Sequence, residues 1–409
     1  MKVLQINTVC GSGSVGRITV DISHALTKSG EECLIAYGRR TAPETVYAWK
    51  FGSRLDMGIH VLSTFLKGEH GFASKRQTAR LIEKIKEYDP DVIQLHNIHG
   101  FYLNVEQLFR YLKTSGKPVV WTLHDCWPMT GHCAYFDYVG CEKWKQQCGT
   151  CPLSRSAYPY ALFKDNSCGN YTRKKAAWGV GAVPNMTIVT PSRWLKGLVE
   201  ESFLKDYEVR VIPNGIDVNR FVPPVDAQAE ARCEEVRRRV GAEGKYLVLG
   251  VANMWEERKG FPYFLKLAEC LGDDYKIVLI GVDKKKQKEL PDSVVGVART
   301  ESVEELAAYY AAADVFVNPT LEDNFPTTNL EALACGTPVI TFGTGGSVES
   351  VDEHTGRIVK KGDLEGLRQA IIEITKNPLS PEKCREKGLK YDKYERFMEY
   401  VQLYRSLKE

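Results

Sequence analysis

The chain predicts an α/β protein made of two doubly wound parallel sheets. Three observations carry that expectation. Short apolar, β-branched runs alternate with longer amphipathic runs along the whole chain, the alternation that builds parallel sheets with helices on both faces. The runs fall into two series, separated at Ile212-Pro213-Asn214-Gly215-Ile216-Asp217 and Phe221-Val222-Pro223-Pro224, where Pro and Asn-Gly punctuate the chain. The length of 409 residues suits two or three domains at ~150 residues each.

The first series of strands is read at 2–7, 33–37, 91–96, 118–123, 187–190 and 208–212. The second is read at 246–251, 275–280, 314–318 and 337–341. Helical periodicity lies between them near 16–29, 75–88, 104–115, 192–205, 260–271, 302–313 and 363–376. One long terminal helix is expected over roughly 380–406.

Apolar residues make up 43% and charged residues 26%, the balance of a globular protein rather than a disordered or collagen-like chain. No apolar run approaches the ~18 residues of a membrane span. The opening Val3, Leu4 and Ile6 alternate with Gln5 and Asn7, which reads as a strand and not as a secretory leader. A cytoplasmic protein is therefore expected. Net charge is +3, spread as +8 over residues 1–213 and −5 over 214–409. A basic first half suits a phosphate-bearing or anionic-membrane partner, with chance surface charge as the plain alternative. No nucleic-acid partner is expected.

Four motifs carry chemistry. Gly11-Ser12-Gly13-Ser14-Val15-Gly16 follows the first strand and precedes a helix. Glycines there let backbone N–H groups approach a phosphate beside a helix N-terminus, although a plain tight turn reads the same way. The second strand ends in Tyr37-Gly38-Arg39-Arg40, without the carboxylate that would hold an NAD ribose. An NADP-dependent oxidoreductase would have to use Arg39 or Arg40. Asn253-Met254-Trp255-Glu256-Glu257-Arg258-Lys259-Gly260 follows strand 246–251 and sets two cations where a departing diphosphate could be stabilised. Asp323 to Ile340 begins after strand 314–318, with Pro326 expected at the first helical position and Gly336 at the helix end. Asp323 in the loop and Glu331 on the helix can border one cleft, with helix N–H groups for a pyrophosphate and Glu331 for a ribose. Finally, His124 ends strand 118–123, and His96, Asn97 and His99 end strand 91–96, the strand ends at which open α/β sheets bind ligands.

Taken in order, these motifs resemble the retaining nucleotide-sugar glycosyltransferases of family 4, with the GT-B fold. The resemblance runs through Thr122-Leu123-His124-Asp125, Pro191-Ser192, Ile212 to Asp217, Arg258-Lys259-Gly260 and Glu331 to Val339. His124 to Cys133 looks like a subgroup of bacterial capsule, exopolysaccharide and O-antigen clusters. The resemblance implies two Rossmann-like domains facing across a cleft: 1–213 on the acceptor side, with a Cys-rich insertion at about 126–168; 214–385 for the sugar nucleotide; and a terminal helix, 386–409, packing back on the first domain. It implies that Glu331 binds ribose and that Lys259 meets the diphosphate. It places Asp323, Asn324, Phe325, Pro326, Thr327 and Thr328 at the donor sugar and phosphates, and His124 near the reacting carbon. Gly13, Ser14 and Gly16 would lie under the diphosphate, beside Asn253 and Arg258, with His96, Asn97 and His99 on the acceptor. The donor would be a nucleoside-diphosphate sugar, UDP-linked first, and the acceptor a saccharide, lipid-diphosphate-linked. No cofactor would serve catalysis. Two positions depart from the pattern: Asp323 stands where Glu is usual, and Asn253 where Arg is frequent. A sugar-nucleotide epimerase of the same shape is the nearest alternative.

Two further features stand outside that scheme. Between Arg54 and Lys67, the residues Leu55, Met57, Ile59, Val61, Leu62, Phe65 and Leu66 make an apolar face, with Arg39, Arg40, Lys75, Arg76 and Arg80 nearby. It reads either as a peripheral contact with anionic membrane or as a core-facing helix. Of twelve cysteines, six lie between Cys126 and Cys168. Cys133, Cys141, Cys148 and Cys151 are spaced for a structural zinc, the close Cys148–Cys151 pair forming the knuckle, with Cys126, Cys168 and His132 as substitutes. A redox-active disulfide is the alternative.

Overall fold

The computed structural model describes every residue except Val180 and Glu409. The chain divides into two units. One comprises Met1–Pro213 and the chain from Arg396 onward, the other Asn214–Glu395.

The strands of the first unit are β1 (Lys2–Val9), β2 (Glu32–Arg39), β3 (Ala48–Lys50), β4 (Val92–Leu95), β5 (Val119–Thr122), β6 (Met186–Thr190) and β7 (Glu208–Val211). They form a seven-stranded parallel sheet in the order β3-β2-β1-β4-β5-β6-β7. Its helices are α1 (Gly13–Lys28), α2 (Arg54–Lys67), α3 (Lys75–Tyr88), α4 (Val105–Ser115), α5 (Ser167–Trp178) and α6 (Arg193–Glu201). Both faces of the sheet are covered, which is why its strands read as continuous apolar runs. Leu4, Ile6, Leu95, Phe109, Trp121 and Trp178 fill one face. Val3, Ile22, Leu26, Ile35 and Val120 fill the other, together with Phe397, Tyr400 and Tyr404 from the chain terminus. Gln94 is the polar exception inside β4. It accepts a hydrogen bond from the Tyr404 hydroxyl at 2.9 Å and donates to Thr122 Oγ1 at 2.8 Å, so its amide is satisfied where an unpaired one would cost ~1–3 kcal/mol.

In the second unit, α7 (Ala227–Arg239) precedes β8 (Tyr246–Val251), α8 (Phe261–Cys270), β9 (Tyr275–Ile280), β10 (Val294–Val297) and α9 (Val303–Ala312). There follow β11 (Val315–Asn318), α10 (Thr327–Ala334), β12 (Val339–Phe342), β13 (Gly356–Val359), α11 (Leu364–Lys376) and α12 (Pro381–Leu389); α13 (Lys393–Lys408) begins in this unit and from Arg396 belongs to the first. The six strands pair in parallel in the order β10-β9-β8-β11-β12-β13.

Each sheet is wound outward in both directions from an inner pair, β1/β4 in the first and β8/β11 in the second. The connections leaving such a pair go to opposite faces and open a crevice at the carboxyl ends of the strands. The Gly-rich segment leaves β1 and the Arg258-Lys259 segment leaves β8, so sequence motif and topological switch coincide in both units.

The expected single helix over 380–406 is two helices. Between them, Ile216 N donates to Tyr391 O at 2.9 Å and Lys393 N donates to Ile216 O at 2.8 Å. The chain at 391–393 therefore bonds to a strand-like segment and not to its own helix, while Asp392 Oδ1 takes the Tyr394 N–H at 2.7 Å. The strand readings also missed β3, β10 and β13, each three or four residues long and at or near a sheet edge. Helices α5 and α7 were missed because their apolar stripes are thin: Val236 is the one buried side chain of α7.

Close packing of α12 sets the position of α10. A Cβ on Gly388 would lie 2.5 Å from the Ala334 backbone nitrogen, and Arg385 Nη1 caps the end of α10 by donating to Ala334 O at 2.8 Å. Gly388→Ala should therefore cost about 1–3 kcal/mol in urea unfolding, as overpacking does. Gly197→Ala, inside α6 with open space around its Cβ position, should be neutral or stabilising by up to about 1 kcal/mol. Equal effects at the two sites would refute the packing argument.

Candidate functional site

In the second unit three loops meet around Asp323. After β8 the chain makes a short 3₁₀ turn at Glu257–Lys259 and reverses at Gly260 in the left-handed region, φ 79°. A side chain there would overlap the Pro319 carbonyl, because the loops after β8 and β11 lie backbone to backbone. Arg258 straps them together: its carbonyl accepts from Leu321 N at 2.7 Å and its Nη1 donates to Glu322 O at 2.7 Å. Lys259 Nζ pairs with Asp323 Oδ2. From the third loop, Gly346 N donates to the Asp323 carbonyl at 3.0 Å, and any side chain on Gly345 would collide with that same carbonyl.

Asn324, Phe325 and Pro326 follow, all buried. Phe325 is seated on Tyr391 with ring centroids 5.6 Å apart, and its carbonyl accepts from Asn214 Nδ2 at 3.1 Å. The Pro-Asn-Gly segment read as boundary punctuation thus also anchors this loop. Pro326 is the N-cap, one position earlier than expected, and α10 begins at Thr327. Proline offers no capping oxygen and the first turn carries no acid. The opening N–H groups of α10, with Thr327 and Thr328 half-buried beside them, suit an anion. Glu331, one turn further and 8% exposed, accepts from the Tyr310 hydroxyl at 2.9 Å through Oε2. Asn253 is exposed on the loop after β8.

In the first unit the Gly-rich segment closes on itself, Gly11 N donating to Gly16 O at 2.8 Å. Helix α1 already starts at Gly13, so Gly13, Ser14 and Gly16 belong to its first turn and not to a loop before residue 16. Ser12 makes no side-chain cap and no acid lies in that turn. This is a second uncapped helix start at a switch point.

The histidines at the ends of β4 and β5 form two chains. His96 Nε2 bonds Gln5 Oε1 at 2.9 Å and His96 Nδ1 bonds His124 Nε2 at 3.0 Å. Gln5 Nε2 is fixed by donating to Thr19 O at 2.9 Å. Its Oε1 can only accept, so His96 carries its proton on Nε2 and accepts at Nδ1 from His124 Nε2–H. His124 is then left with Nδ1 as its acceptor nitrogen. Burial pushes the His124 pKa down to about 4, and that of His96 well below its usual value, so both rings are neutral at pH 7. His96 was expected on the acceptor. Its two nitrogens are committed within the protein, which makes it the residue that orients His124. In the second chain, His99 Nε2 contacts Asp125 Oδ2 at 2.8 Å and His99 Nδ1 contacts the Tyr158 hydroxyl at 3.1 Å. Burial works to raise the Asp125 pKa, but His99 and the Trp127 N–H hold it low. The Asn97 carbonyl accepts from Thr8 Oγ1 at 2.9 Å and from the Tyr102 hydroxyl at 2.8 Å, tying the β4 exit to β1. Tyr158, Tyr310 and the Gly345-Gly346 pair were not singled out in the sequence, and Asn214 was read as boundary punctuation and as part of the resemblance, without this contact. Only the glycine pair had a local signal, a doublet one turn past β12.

Cys133, Cys141, Cys148 and Cys151 are free thiols in the β5–α5 connection. As the side chains stand, no three His, Cys, Asp or Glu groups converge as a metal-ligand set among the described residues.

Comparison with known proteins gives a consistent picture. Residues 15–220 match the model described as Glycosyltransferase Family 4, and residues 245–377 match Glycosyl transferases group 1. The chain is 24% identical over 393 residues, 90% of each chain, to the putative colanic acid biosynthesis glycosyl transferase WcaC of Escherichia coli K12. Among solved structures it resembles sucrose-phosphate synthase from Thermosynechococcus elongatus, with TM-score 0.72 and 18% identity over 100% of this chain and 99% of that one. It also resembles Anabaena HepE in complex with UDP, with TM-score 0.69 and 15% identity over 99% and 100% of the two chains. These likenesses establish the GT-B fold.

Buried neutral histidines set a pH dependence for the first unit. His60 is pushed down to about 4 by burial, as is His124. Their folded pKa lies below the unfolded ~6.5, so the unfolded chain binds more protons between these values. Their contribution is full above pH ~6.5 and is lost as the pH falls toward 4. At pH 5 the loss is about 2 kcal/mol for each fully buried ring. Urea unfolding at pH 7.5 and pH 5 should show a clearly lower midpoint at pH 5; an unchanged midpoint would show that these rings are not buried neutral.

Proposed function

The chain belongs to glycosyltransferase family 4, and from that premise we propose that it transfers a sugar from a nucleoside-diphosphate sugar, UDP-linked, to a lipid-diphosphate-linked saccharide, with retention at the anomeric carbon and no catalytic metal. The observation that carries this reading is the Lys259–Asp323 pair set at the uncapped start of α10, with Glu331 on the same helix. Family membership removes the oxidoreductase and epimerase alternatives. The neighbour solved with UDP supports a uridine nucleotide, and the relative named for colanic acid biosynthesis supports a surface polysaccharide as product.

In this reading the anomeric C–O bond to the diphosphate breaks, and its electrons leave with the nucleoside diphosphate. Lys259 and the first N–H groups of α10 stabilise that negative charge in place of a divalent cation. Glu331 accepts the ribose hydroxyls. Asp323, held by Lys259 and by the Gly346 N–H, presents its carboxylate to a sugar hydroxyl. Arg258 acts by keeping the loops after β8 and β11 together. On the acceptor-binding unit, His124 accepts a sugar hydroxyl at Nδ1 while His96 and Gln5 hold its ring. The acceptor hydroxyl attacks from the face the leaving group departs, and its proton passes to the departing phosphate oxygen.

The acceptor's lipid calls for a surface, and α2 supplies one. This helix is inverted: it buries His60 and Thr64 and exposes Leu55 (77%), Ile59 (56%), Leu62 (57%) and Leu66 (47%) to solvent. Phe163, 71% exposed, extends the patch, its N–H bonded to Phe65 O at 3.3 Å. A core-facing helix would show the opposite pattern, so that reading fails. Arg54 and Lys67 lie at the helix ends, and Lys75 and Arg76 on α3. Exposed apolar side chains rimmed by cations fit an anionic bilayer surface. No helix among the described residues is long and apolar enough to cross a membrane.

Glu331→Gln and Lys259→Ala should each fold normally and lose about 100-fold or more in transfer rate, the ~3 kcal/mol of a lost transition-state contact. The assay uses a UDP-sugar with Mg²⁺ withheld, in which the wild type keeps turning over. Wild-type rates in either variant would remove that residue from the site, and strict dependence of the wild type on added divalent metal would defeat the metal-free mechanism.

Flotation with liposomes should show binding to anionic vesicles that weakens in high salt. The double variant Ile59→Asp, Leu62→Asp should stay in the soluble fraction. Binding indifferent to lipid charge and to these substitutions would exclude α2 as the docking element.

A further inference from the structure

We infer that the β5–α5 connection is organised by one zinc ion, held by Cys133, Cys148 and Cys151 with Cys141 or His132 as the fourth ligand, and that the buried Lys174 ammonium is its counter-charge. The connection needs such an organiser. Between Met129 and Ser167 it contains only two three-residue 3₁₀ turns, Asp137–Val139 and Lys143–Lys145. Its buried apolar side chains are few: Cys133, Ala134, Phe136, Trp144, Leu153 and Ala161, with the Phe136 and Trp144 rings tilted together at 4.8 Å. So little burial does not offset the ordering of nearly forty residues at ~1–2 kcal/mol each.

All four cysteines and His132 line one cavity of about 10 Å³, together with Phe136, Trp144 and Pro152. That volume admits about one atom-sized occupant. The walls offer sulfur and carbon, a poor setting for water and a good one for a thiophilic cation. The surroundings are arranged around sulfur acceptors. Gly131 N donates to Cys148 Sγ at 3.2 Å, Leu153 donates its backbone N–H to Cys151, and the Cys133 and Cys151 thiols are hydrogen-bonded to each other. Backbone N–H groups aimed at sulfur are the partners a thiolate uses. Between Cys148 and Cys151 the turn passes through Thr150 at φ 46°, a left-handed conformation that costs a β-branched residue ~1–3 kcal/mol and persists only where the surroundings impose it. Lys143 Nζ pins this turn through Gly149 O at 3.1 Å and Thr150 O at 3.0 Å.

Two side chains outside the thiol set point the same way. His132 is 3% exposed, its hydrogen bond goes to the Ala157 backbone, and its Nε2 is buried with no hydrogen-bond partner. Such a nitrogen is ready to ligate. Lys174 is fully buried, donating to Trp127 O at 2.7 Å and Thr130 O at 2.9 Å, with its ammonium 3.2 Å from the Trp127 ring centroid. Carbonyls and a ring face solvate this charge without neutralising it. Burial drives its pKa well below the usual lysine value, and Cys148, Cys133 and Asp125 are the groups whose negative charge opposes that shift; zinc-bound thiolates would keep the ammonium charged. Three thiolates and a neutral imidazole on Zn²⁺ carry a net single negative charge, the complement of one ammonium; a fourth thiolate adds one more. Because the thiols do not yet converge, ligation requires their side chains to turn into the cavity, displacing the Cys133–Cys151 contact. Each bound cysteine gives up its proton to solvent, and no electron transfer is involved.

The test is elemental analysis of the full chain purified without chelator. About one zinc per chain is expected, released stoichiometrically as a thiol-modifying mercurial is titrated in. Cobalt(II) put in its place should give the visible bands and thiolate charge transfer of a tetrahedral, sulfur-rich site. Cys148→Ser and Cys151→Ser should lose the metal, while Cys168→Ser and Cys270→Ser keep it. Of Cys141→Ser and His132→Gln, the one that loses zinc identifies the fourth ligand. Lys174→Gln should release zinc faster to a chelating dye. Metal-free wild-type protein whose melting temperature ignores added zinc overturns the proposal. So does a Cys133–Cys151 disulfide, or zinc that survives in Cys148→Ser.

Discussion

The reversal of strand order at β1/β4 and at β8/β11 is the constraint on which the rest depends. Right-handed crossovers from an inner strand pair must leave to opposite faces of the sheet. The connections therefore part at the carboxyl ends of that pair, where the loops can carry chemistry. Every candidate residue in the two units hangs on one of these exits or on the next strand out: Gly13 to Gly16 after β1, His96 to His99 after β4, His124 after β5, Arg258 and Lys259 after β8, and Asp323 to Thr328 after β11.

A crevice alone does not hold loops in place. In the second unit that is done by backbone contact too close for side chains. Gly260 lies on the Pro319 carbonyl, Gly345 on the Asp323 carbonyl, and Gly388 on the start of Ala334. Each contact brings one loop or helix onto another at main-chain distance, and Arg258 and Arg385 tie the same segments through their carbonyls. The Asp323 and Glu331 carboxylates therefore sit on a scaffold whose rigidity comes from absent side chains and satisfied carbonyls, more than from apolar volume.

The first unit relies on buried polar chains. Gln5, His96 and His124 form one, Asp125, His99 and Tyr158 another, and Gln94 links Thr122 to Tyr404 from the chain terminus. In a low-dielectric interior such groups are costly unless every donor finds an acceptor. Once satisfied, they select a single tautomer and a single ring orientation. The exposed apolar stripe of α2 is the converse case, an apolar surface that the fold leaves without an internal partner, while His60 and Thr64 take the inward positions.

The sequence by itself determined the two series of parallel strands, the switch-point motifs and the family, because these are local: apolar runs, glycine spacing and helix starts are written in consecutive residues. Helix 75–88 and strands 246–251 and 275–280 were legible to the residue. The tertiary structure alone decided whatever depends on partners distant in the chain. It split the terminal helix, because Ile216 bonds to the backbone at 391–393. It turned the apolar stripe of α2 outward, because a hydrophobic pattern marks a face without saying which way it points. It made His96 the support of His124, since a strand-end histidine reads the same whether its nitrogens meet Gln5 or a ligand. It also brought Asn214, Tyr310 and Tyr158 to the candidate sites across separations of 111, 21 and 59 residues, which no local pattern encodes: a hydrogen bond depends on distance in space, and the chain's order constrains that distance only after the sheets have formed.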